Sequence, residues 1–350
     1  MKTMKNNLLA GVLLAAAATF APSAADACSR VCYVGTDSLY VIGRCLDWKT
    51  PIPTNIYVYP AGITKQGSDK PGAITWTSKY GAVYAVGYDA GITEGMNEKG
   101  LCINGLFNKG TVYDNEETAK RPPMSLAMFV GWLLDLNATT DEVVNVLKEH
   151  NFSLGGATFD EGTVSALHWG VTDASGHSVI FEFDHGDIKI YEMGDYLAMT
   201  NDPMWPQMTA IVDYWNNVGG TNFLPGTVKS PDRCVRANYF AHHVDAVSDA
   251  ELGTSICRSV LINSCVPYTY QLGPNEPNVS STQWRSYANL RDKTYGFDIV
   301  TNYGFFYVDL KKCNLKPGAP ILKLDTSKTK LTVGEANKLL EKNPGFTPSY

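Results

Sequence analysis

A cysteine stands directly behind an apolar leader in the stretch Ala24–Arg30, AADACSR. Lys2 and Lys5 give the leader a positive start, and Leu8–Ala21, LLAGVLLAAAATFA, is its apolar body. Ala25 and Ala27 occupy the small-residue positions of a signal-peptidase site. The apolar run is too short for a membrane anchor, and no stop-transfer charges follow it. The sequence therefore predicts that residues 1–27 are a signal peptide, removed on export, and that residues 28–350 form a single domain. The mature chain is expected in the periplasm or secreted, with no stable membrane anchor.

Cleavage after Ala27 would make Cys28 the first residue, placing a thiol and a free α-amine on one amino acid. An α-amine titrates near pKa 8 and can accept the thiol proton directly or through water. Nucleophile and base are then held together by covalent geometry, which removes much of the cost of positioning them. Three bland readings compete. Cys28 could be lipidated, although Asp26 fits that signal poorly. It could sit in a structural disulfide, or cleavage could fall elsewhere.

The residues that follow alternate in polarity. Val31 and Tyr33, a turn at GTDS, and LYVIGRCLDW predict a β-hairpin beginning at Cys28. Its second strand would return Arg44 and Asp47 toward the cysteine. A cation beside a thiolate lowers its pKa, and a carboxylate can orient an amine. Three residues apart on a strand, the two side chains face opposite ways. A bend or bulge is needed for both to reach one site. From spacing alone, a surface ion pair is the better reading.

Further along, AVYAVGY and LCINGLF read as strands, with NEKG as a tight turn. SLAMFVGWLLDL and the segment after TTDE carry helical spacing. ALHWGVTDASGHSVIFEFDHGDIKIYEM reads as three strands. MWPQMTAIVDYWNNVGG reads as helical at its start, with Pro206 in the first turn, RANYFAHHVDAV and DAELGTSICRSVLINSC read as helices, and YGFDIVTNYGFFYVDLKKC as a strand pair. VPYTYQLGPNEPNVSSTQW is loop-like, and TVGEANKLLEKN is a short amphipathic helix at best. Such a succession fits one layered domain in which helices cover sheets.

The formal net charge of -6 and the absence of a dense Lys/Arg run argue against a nucleic-acid partner. The six histidines are scattered, with no HExxH and no Cys/His cluster, so a metal site has no support. His168 and His185 read as core or surface fillers. Eight cysteines in an exported chain permit disulfides, and Cys257 with Cys265 would close a short loop. Taken singly, Asn201 in MTNDP is a turn residue and Arg233 in SPDRCVRA a surface charge.

Taken together, Cys28, GRCLDW with Arg44 and Asp47, GMNEKGLCINGLF, MTNDP and SPDRCVRA resemble the choloylglycine hydrolase family. That family holds conjugated bile salt hydrolases and penicillin V acylases within the N-terminal nucleophile hydrolases. The resemblance runs over nearly all of the mature chain, and TQWRSYANLRDKTYGF and FFYVDLKK extend it. It implies an α+β fold, a four-layer αββα sandwich, and cleavage of a linear non-peptide C–N amide bond. On this sequence it implies Cys28 as nucleophile with its own amine as base. Arg44, Asp47 and Arg233 would be its neighbours. Asn201 and the backbone N–H of Phe107 would be oxyanion donors. Bile salt hydrolases of the family carry Asn at the Phe107 position and penicillin V acylases often Tyr. No cofactor is implied, and the partner is a small-molecule N-acyl amide. Family members are often homotetramers.

The physical logic of these residue types agrees. Amide hydrolysis builds negative charge on the carbonyl oxygen, and fixed donors there are worth a few kcal/mol each. The resemblance, with Phe107 in place of the Asn of typical bile salt hydrolases, implies an exported cysteine amidohydrolase of penicillin V acylase type. Conjugated bile salt hydrolysis and N-acyl homoserine lactone deacylation are alternatives with the same mechanism. NIYVYP, Asn55–Pro60, is expected to line the acyl pocket. A non-enzymatic secreted domain held by disulfides is the alternative from another class. Hydrolysis of longer lipid amides, in the manner of acid ceramidase, is disfavoured by the short leader.

Overall fold

The computed structural model describes residues 28–156, 158–159, 163–219, 222–271 and 280–350. The leader lies outside the described residues, as does 272–279 of the loop expected at 266–284, whose last four residues, 281–284, belong to a strand that starts at Ser281.

Sixteen strands build two large sheets. In chain order they are β1 (Ser29–Val34), β2 (Tyr40–Trp48), β3 (Thr54–Tyr59), β4 (Ala82–Gly87), β5 (Gly91–Asn97) and β6 (Cys102–Phe107). Next come β7 (Leu167–Thr172), β8 (Ser178–Asp184), β9 (Asp187–Glu192), β10 (Ala198–Met199) and β11 (Ser281–Asn289). The last are β12 (Thr294–Ile299), β13 (Phe306–Asp309), β14 (Leu322–Leu324), β15 (Gly334–Glu335) and β16 (Glu341–Lys342). The first sheet has the order β10-β1-β2-β11-β12-β13-β15, and the second β9-β8-β7-β6-β5-β4-β3-β14-β16. Five α-helices accompany them among the described residues: α1 (Leu126–Leu136), α2 (Thr140–Glu149), α3 (Trp205–Val218), α4 (Ser230–His242) and α5 (Ala250–Ile262).

Strand alternation sorts the apolar residues into three cores. On β2, Val41 and Cys45 pack with Val235, Ala237, Cys257 and Leu261 of α4 and α5. Ile42 and Leu46 of the same strand pack between the sheets against Ile56, Val58, Val83 and Ala85. On β4, Ala82, Tyr84 and Val86 turn outward to meet Phe129, Leu133 and Val143 of α1 and α2. Both faces of each sheet are thus covered, giving the four layers α, β, β, α. Burial of each such side chain is worth about 1.5–3 kcal/mol, so a one-residue slip that exchanged the faces would be costly. Gly43 lets α5 approach closely, because a Cβ there would meet Cys257 Sγ at 2.9 Å.

Two expectations fail. TVGEANKLLEKN holds only a 3-10 turn, Asn337–Leu339, between two short strands. Edge pairing of Gly334 and Glu335 with Phe306 and Tyr307 outcompetes a helix with few apolar anchors. All eight cysteines are free thiols, so the Cys257–Cys265 loop is not closed. Cys257 Sγ instead reaches the Val41 carbonyl and Cys265 Sγ that of Leu261. Helix α4 also starts at Ser230, earlier than expected, with Pro231 in its first turn. No helix among the described residues is long and apolar enough to cross a membrane.

Candidate active site

The hairpin expected at the leader junction forms. Ser29 pairs with Cys45 and Arg30 with Arg44, which brings β2 back beside Cys28. The tight connection uses left-handed conformations at Asp37 and Ser38. Arg44 Nη2 lies 3.6 Å from Cys28 Sγ and 2.9 Å from the Gly105 carbonyl. The Asp47 carbonyl lies 3.9 Å from the same sulfur. An irregularity does accompany this convergence, on β11 rather than β2. Thr282 faces Asp47 and Trp284 faces Leu46, so Gln283 is the extra residue.

Two segments distant in sequence complete the surround. After β10, Asn201 accepts from the Cys28 N–H at 2.7 Å through Oδ1 and donates through Nδ2 to the Phe107 carbonyl at 2.8 Å. Arg233, in the first turn of α4, donates from Nη1 to the Cys28 carbonyl at 2.6 Å and to Ser29 Oγ at 2.6 Å. Its Nη2 donates to Asn201 Oδ1 at 2.7 Å. Both residues are fully buried. Asn201 Nδ2 has a second hydrogen beyond the one given to Phe107. Asn108 N–H bonds the Ala166 carbonyl. By strand alternation the Phe107 N–H points the other way, where the β5–β6 ladder has ended at Glu94–Asn104. The structure thus brings together all six residues singled out in the sequence.

Electrostatics around the sulfur oppose one another. Burial pushes the Cys28 thiol above its ordinary pKa, while Arg44 and, more weakly, Arg233 pull it down. Burial likewise raises Asp47, to about 6. Asp47 Oδ2 accepts from Cys45 Sγ at 3.6 Å, whereas Oδ1 is buried with no hydrogen-bond partner among the described residues.

Several contributors escaped sequence reasoning. Glu94, on β5, lies 3.2 Å from Arg44 Nε and accepts from Tyr295 Oη at 2.6 Å and from Ser286 Oγ. Arg44 also lies over the Trp284 ring, 4.8 Å from its centroid. A lone Glu in GITEGMN, two residues before Met96 of the inter-sheet core, was a readable sign of a buried charge, whereas Ile92 faces α1 because Thr93 is an extra residue in the ladder with β4. Arg30 crosses between sheets to Asn104 and Thr172. His168 is more than a filler. It bridges Glu182 at 2.9 Å and the Thr200 carbonyl at 2.7 Å, bracing the residue before Asn201. His185 is exposed beside Asp184, as expected.

An apolar cavity of about 390 Å³ opens over Cys28, lined by Leu46, Trp48, Ile52, Ile92, Phe107 and Leu126 among others. The Trp48 and Phe107 rings stand 6.4 Å apart at a tilt. NIYVYP does not line it. Ile56 and Val58 face the inter-sheet core and Tyr57 and Tyr59 the helix side, so the strand's two faces are already used. A larger cavity of about 660 Å³ between Glu192–Tyr196 and α3 and α4 contains none of the residues gathered at Cys28. Among the described residues no cluster of His, Cys, Asp and Glu could hold a metal ion.

Comparison with known proteins follows the same outline. The model of the family described as linear amide C-N hydrolases, choloylglycine hydrolase family, matches residues 28–331. Penicillin V acylase of Pectobacterium atrosepticum is 33% identical over 95% of this chain and 93% of its own length. The solved structure of penicillin V acylase from Agrobacterium tumefaciens superposes with a TM-score of 0.84 at 34% identity, covering 92% of this chain and 99% of the other. Conjugated bile acid hydrolase from Clostridium perfringens shares the fold, with a TM-score of 0.71 at 20% identity over 84% and 95% of the two chains.

Proposed function

This chain belongs to the choloylglycine hydrolase family of linear amide C-N hydrolases, and from that premise we propose that it is an exported penicillin V acylase-like enzyme acting through Cys28. The observation that carries the reading is the convergence on one residue. Arg44 meets its sulfur, Asn201 its nitrogen and Arg233 its carbonyl oxygen, at the floor of an apolar cavity. Removal of residues 1–27 frees the α-amine. N-terminal sequencing of the exported protein tests this, and a chain that begins elsewhere while fully active overturns it.

In the mature enzyme the α-amine takes the thiol proton, and Arg44 stabilises the thiolate that results. The buried, unpartnered Asp47 Oδ1 is an acceptor for the charged amine. Sulfur attacks the amide carbonyl, and the oxyanion meets the Phe107 N–H and the free hydrogen on Asn201 Nδ2. Removing one such donor typically costs about 3 kcal/mol, or two to three powers of ten in rate. The C–N bond then breaks, and the α-ammonium returns its proton to the leaving amine. Water, deprotonated by the same α-amine, cleaves the thioester and releases the acid.

Pocket chemistry favours a compact aromatic acyl group. About 390 Å³ is near the small end of ligand cavities, and Trp48 and Phe107 offer ring faces in place of polar side chains. Phenoxymethylpenicillin combines such an acyl group with a polar amine half. A panel of phenoxymethylpenicillin, benzylpenicillin, glycocholate, taurocholate and acyl homoserine lactones tests the assignment. The highest kcat/KM is expected for phenoxymethylpenicillin, and a preference for conjugated bile acids or for the lactones overturns it. Assembly as a tetramer is a separate expectation, open to sedimentation analysis.

A further inference from the structure

The segment after β16 carries an inference about selectivity that rests on the acyl-pocket reading above. The family model ends at residue 331, yet residues beyond it return to the pocket. Ser349 lines the cavity beside Tyr88, Ala90, Gly91 and Ala127, and its N–H donates to the Ala90 carbonyl at 2.9 Å. Phe346 anchors the segment, packing edge-on against Tyr57 and Tyr59 at 5.7 and 6.1 Å and donating its N–H to Tyr59 Oη at 3.2 Å. Tyr350 Oη reaches the Gln66 carbonyl at 3.3 Å. Two prolines, Pro344 and Pro348, stiffen the course between these anchors.

The path depends on one glycine. Gly345 has φ +103, and a Cβ there would come within 2.6 Å of Tyr59 Oη. The surface it docks on is fixed as well. Asp89, in the turn between β4 and β5, is held by Asn55, Tyr57 and Lys323. Gly91 and Glu94 are three residues apart on β5, roughly 10 Å of extended chain. Glu94 touches Arg44 at the reacting end. The Ser349 contact therefore lies at the end of the cavity remote from Cys28.

We propose that residues 343–350 form the outer rim of the acyl pocket and limit the length of acyl group it accepts. The rim is built from chain outside the span matched by the family model, so pocket length is set separately from the hydrolytic apparatus. A longer aryl-alkanoyl group would run into the Ser349–Ala90 contact, whereas a phenoxyacetyl-sized group would stop short of it.

The test compares binding in the Cys28→Ala protein, which reads the pocket without turnover. Free carboxylic acids from phenoxyacetate to 6-phenylhexanoate are titrated by calorimetry. The same series is run with residues 347–350 deleted and, separately, with Gly345→Ala, which displaces the rim without shortening the chain. The expected result is a rise of at least tenfold in the ratio of long-acid to short-acid affinity in both variants. An unchanged ratio in folded variants overturns the proposal, and so does failure of the parent to bind any acid. Should the deletion fail to fold, the Gly345→Ala result decides. Should wild-type protein hydrolyse no amide while the ratio still shifts, the catalytic reading falls and the rim stands.

Discussion

The carbonyl oxygen of Cys28 lies 2.6 Å from Nη1 of Arg233. The same guanidinium holds Asn201 Oδ1 through Nη2. One planar cation therefore fixes the proposed nucleophile and the side chain proposed to receive the oxyanion, in a geometry a lysine ammonium cannot reproduce. Arg233→Lys is expected to fold and to lose about 100-fold or more in kcat, with a smaller change in KM. Steady-state kinetics check this; a kcat within threefold of wild type would remove Arg233 from the positioning role.

Glu94 and Arg44 form a buried pair at 3.2 Å. Breaking such a pair by removing one partner costs on the order of 3–5 kcal/mol, because the other charge stays buried. Glu94→Gln is expected to lower Tm by roughly 10 °C. A thermodynamic cycle with Arg44→Met should show a coupling of at least about 2 kcal/mol. Additive effects of the two substitutions would mean that the ion pair contributes little.

Cys28→Ser should leave the circular dichroism spectrum intact and reduce turnover by about 1,000-fold or more, since a hydroxyl is a far weaker nucleophile toward the same base. An additional Ala left before Cys28 should abolish turnover as well, by converting the amine to an amide. Activity retained in the Ala-extended protein would exclude the amine as base.

Asp47 gives a dependence on pH with a definite sign. Its folded pKa of about 6 stands above the unfolded value near 4. The folded protein binds the proton more tightly, so this group's contribution is full below pH ~4 and is lost as pH rises to about 6. The loss is on the order of 2–3 kcal/mol. Guanidinium unfolding of the Ala-extended protein between pH 4 and 7 should show it, and Asp47→Asn should flatten it. With residues 1–27 removed as proposed, the Cys28 ammonium favours the Asp47 carboxylate and moves the window to lower pH. Identical pH profiles for the Ala-extended parent and Asp47→Asn would contradict the assignment.

Local pattern in the sequence specified the hairpin at Cys28, the three strands from Leu167 to Glu192, the helices at 126–136 and 140–149, and the start of the helix at 205–218. In each, apolar spacing and turn residues act over a few neighbours, and tertiary contacts reinforce the same choice. The site residues were legible only as a joint pattern, since Asn201 and Arg233 singly resemble a turn residue and a surface charge. Tertiary structure alone decided that both are fully buried and share one hydrogen bond, across 32 positions of chain. It also decided that Glu94 supports Arg44 and that Ser349 reaches Ala90. Sequence periodicity reports which face of an element is buried; which distant charge or strand meets that face depends on how sheets stack, and stacking leaves no local mark. The segment at 332–343 shows the limit from the other side, where two short edge pairings overrode a weak helical pattern.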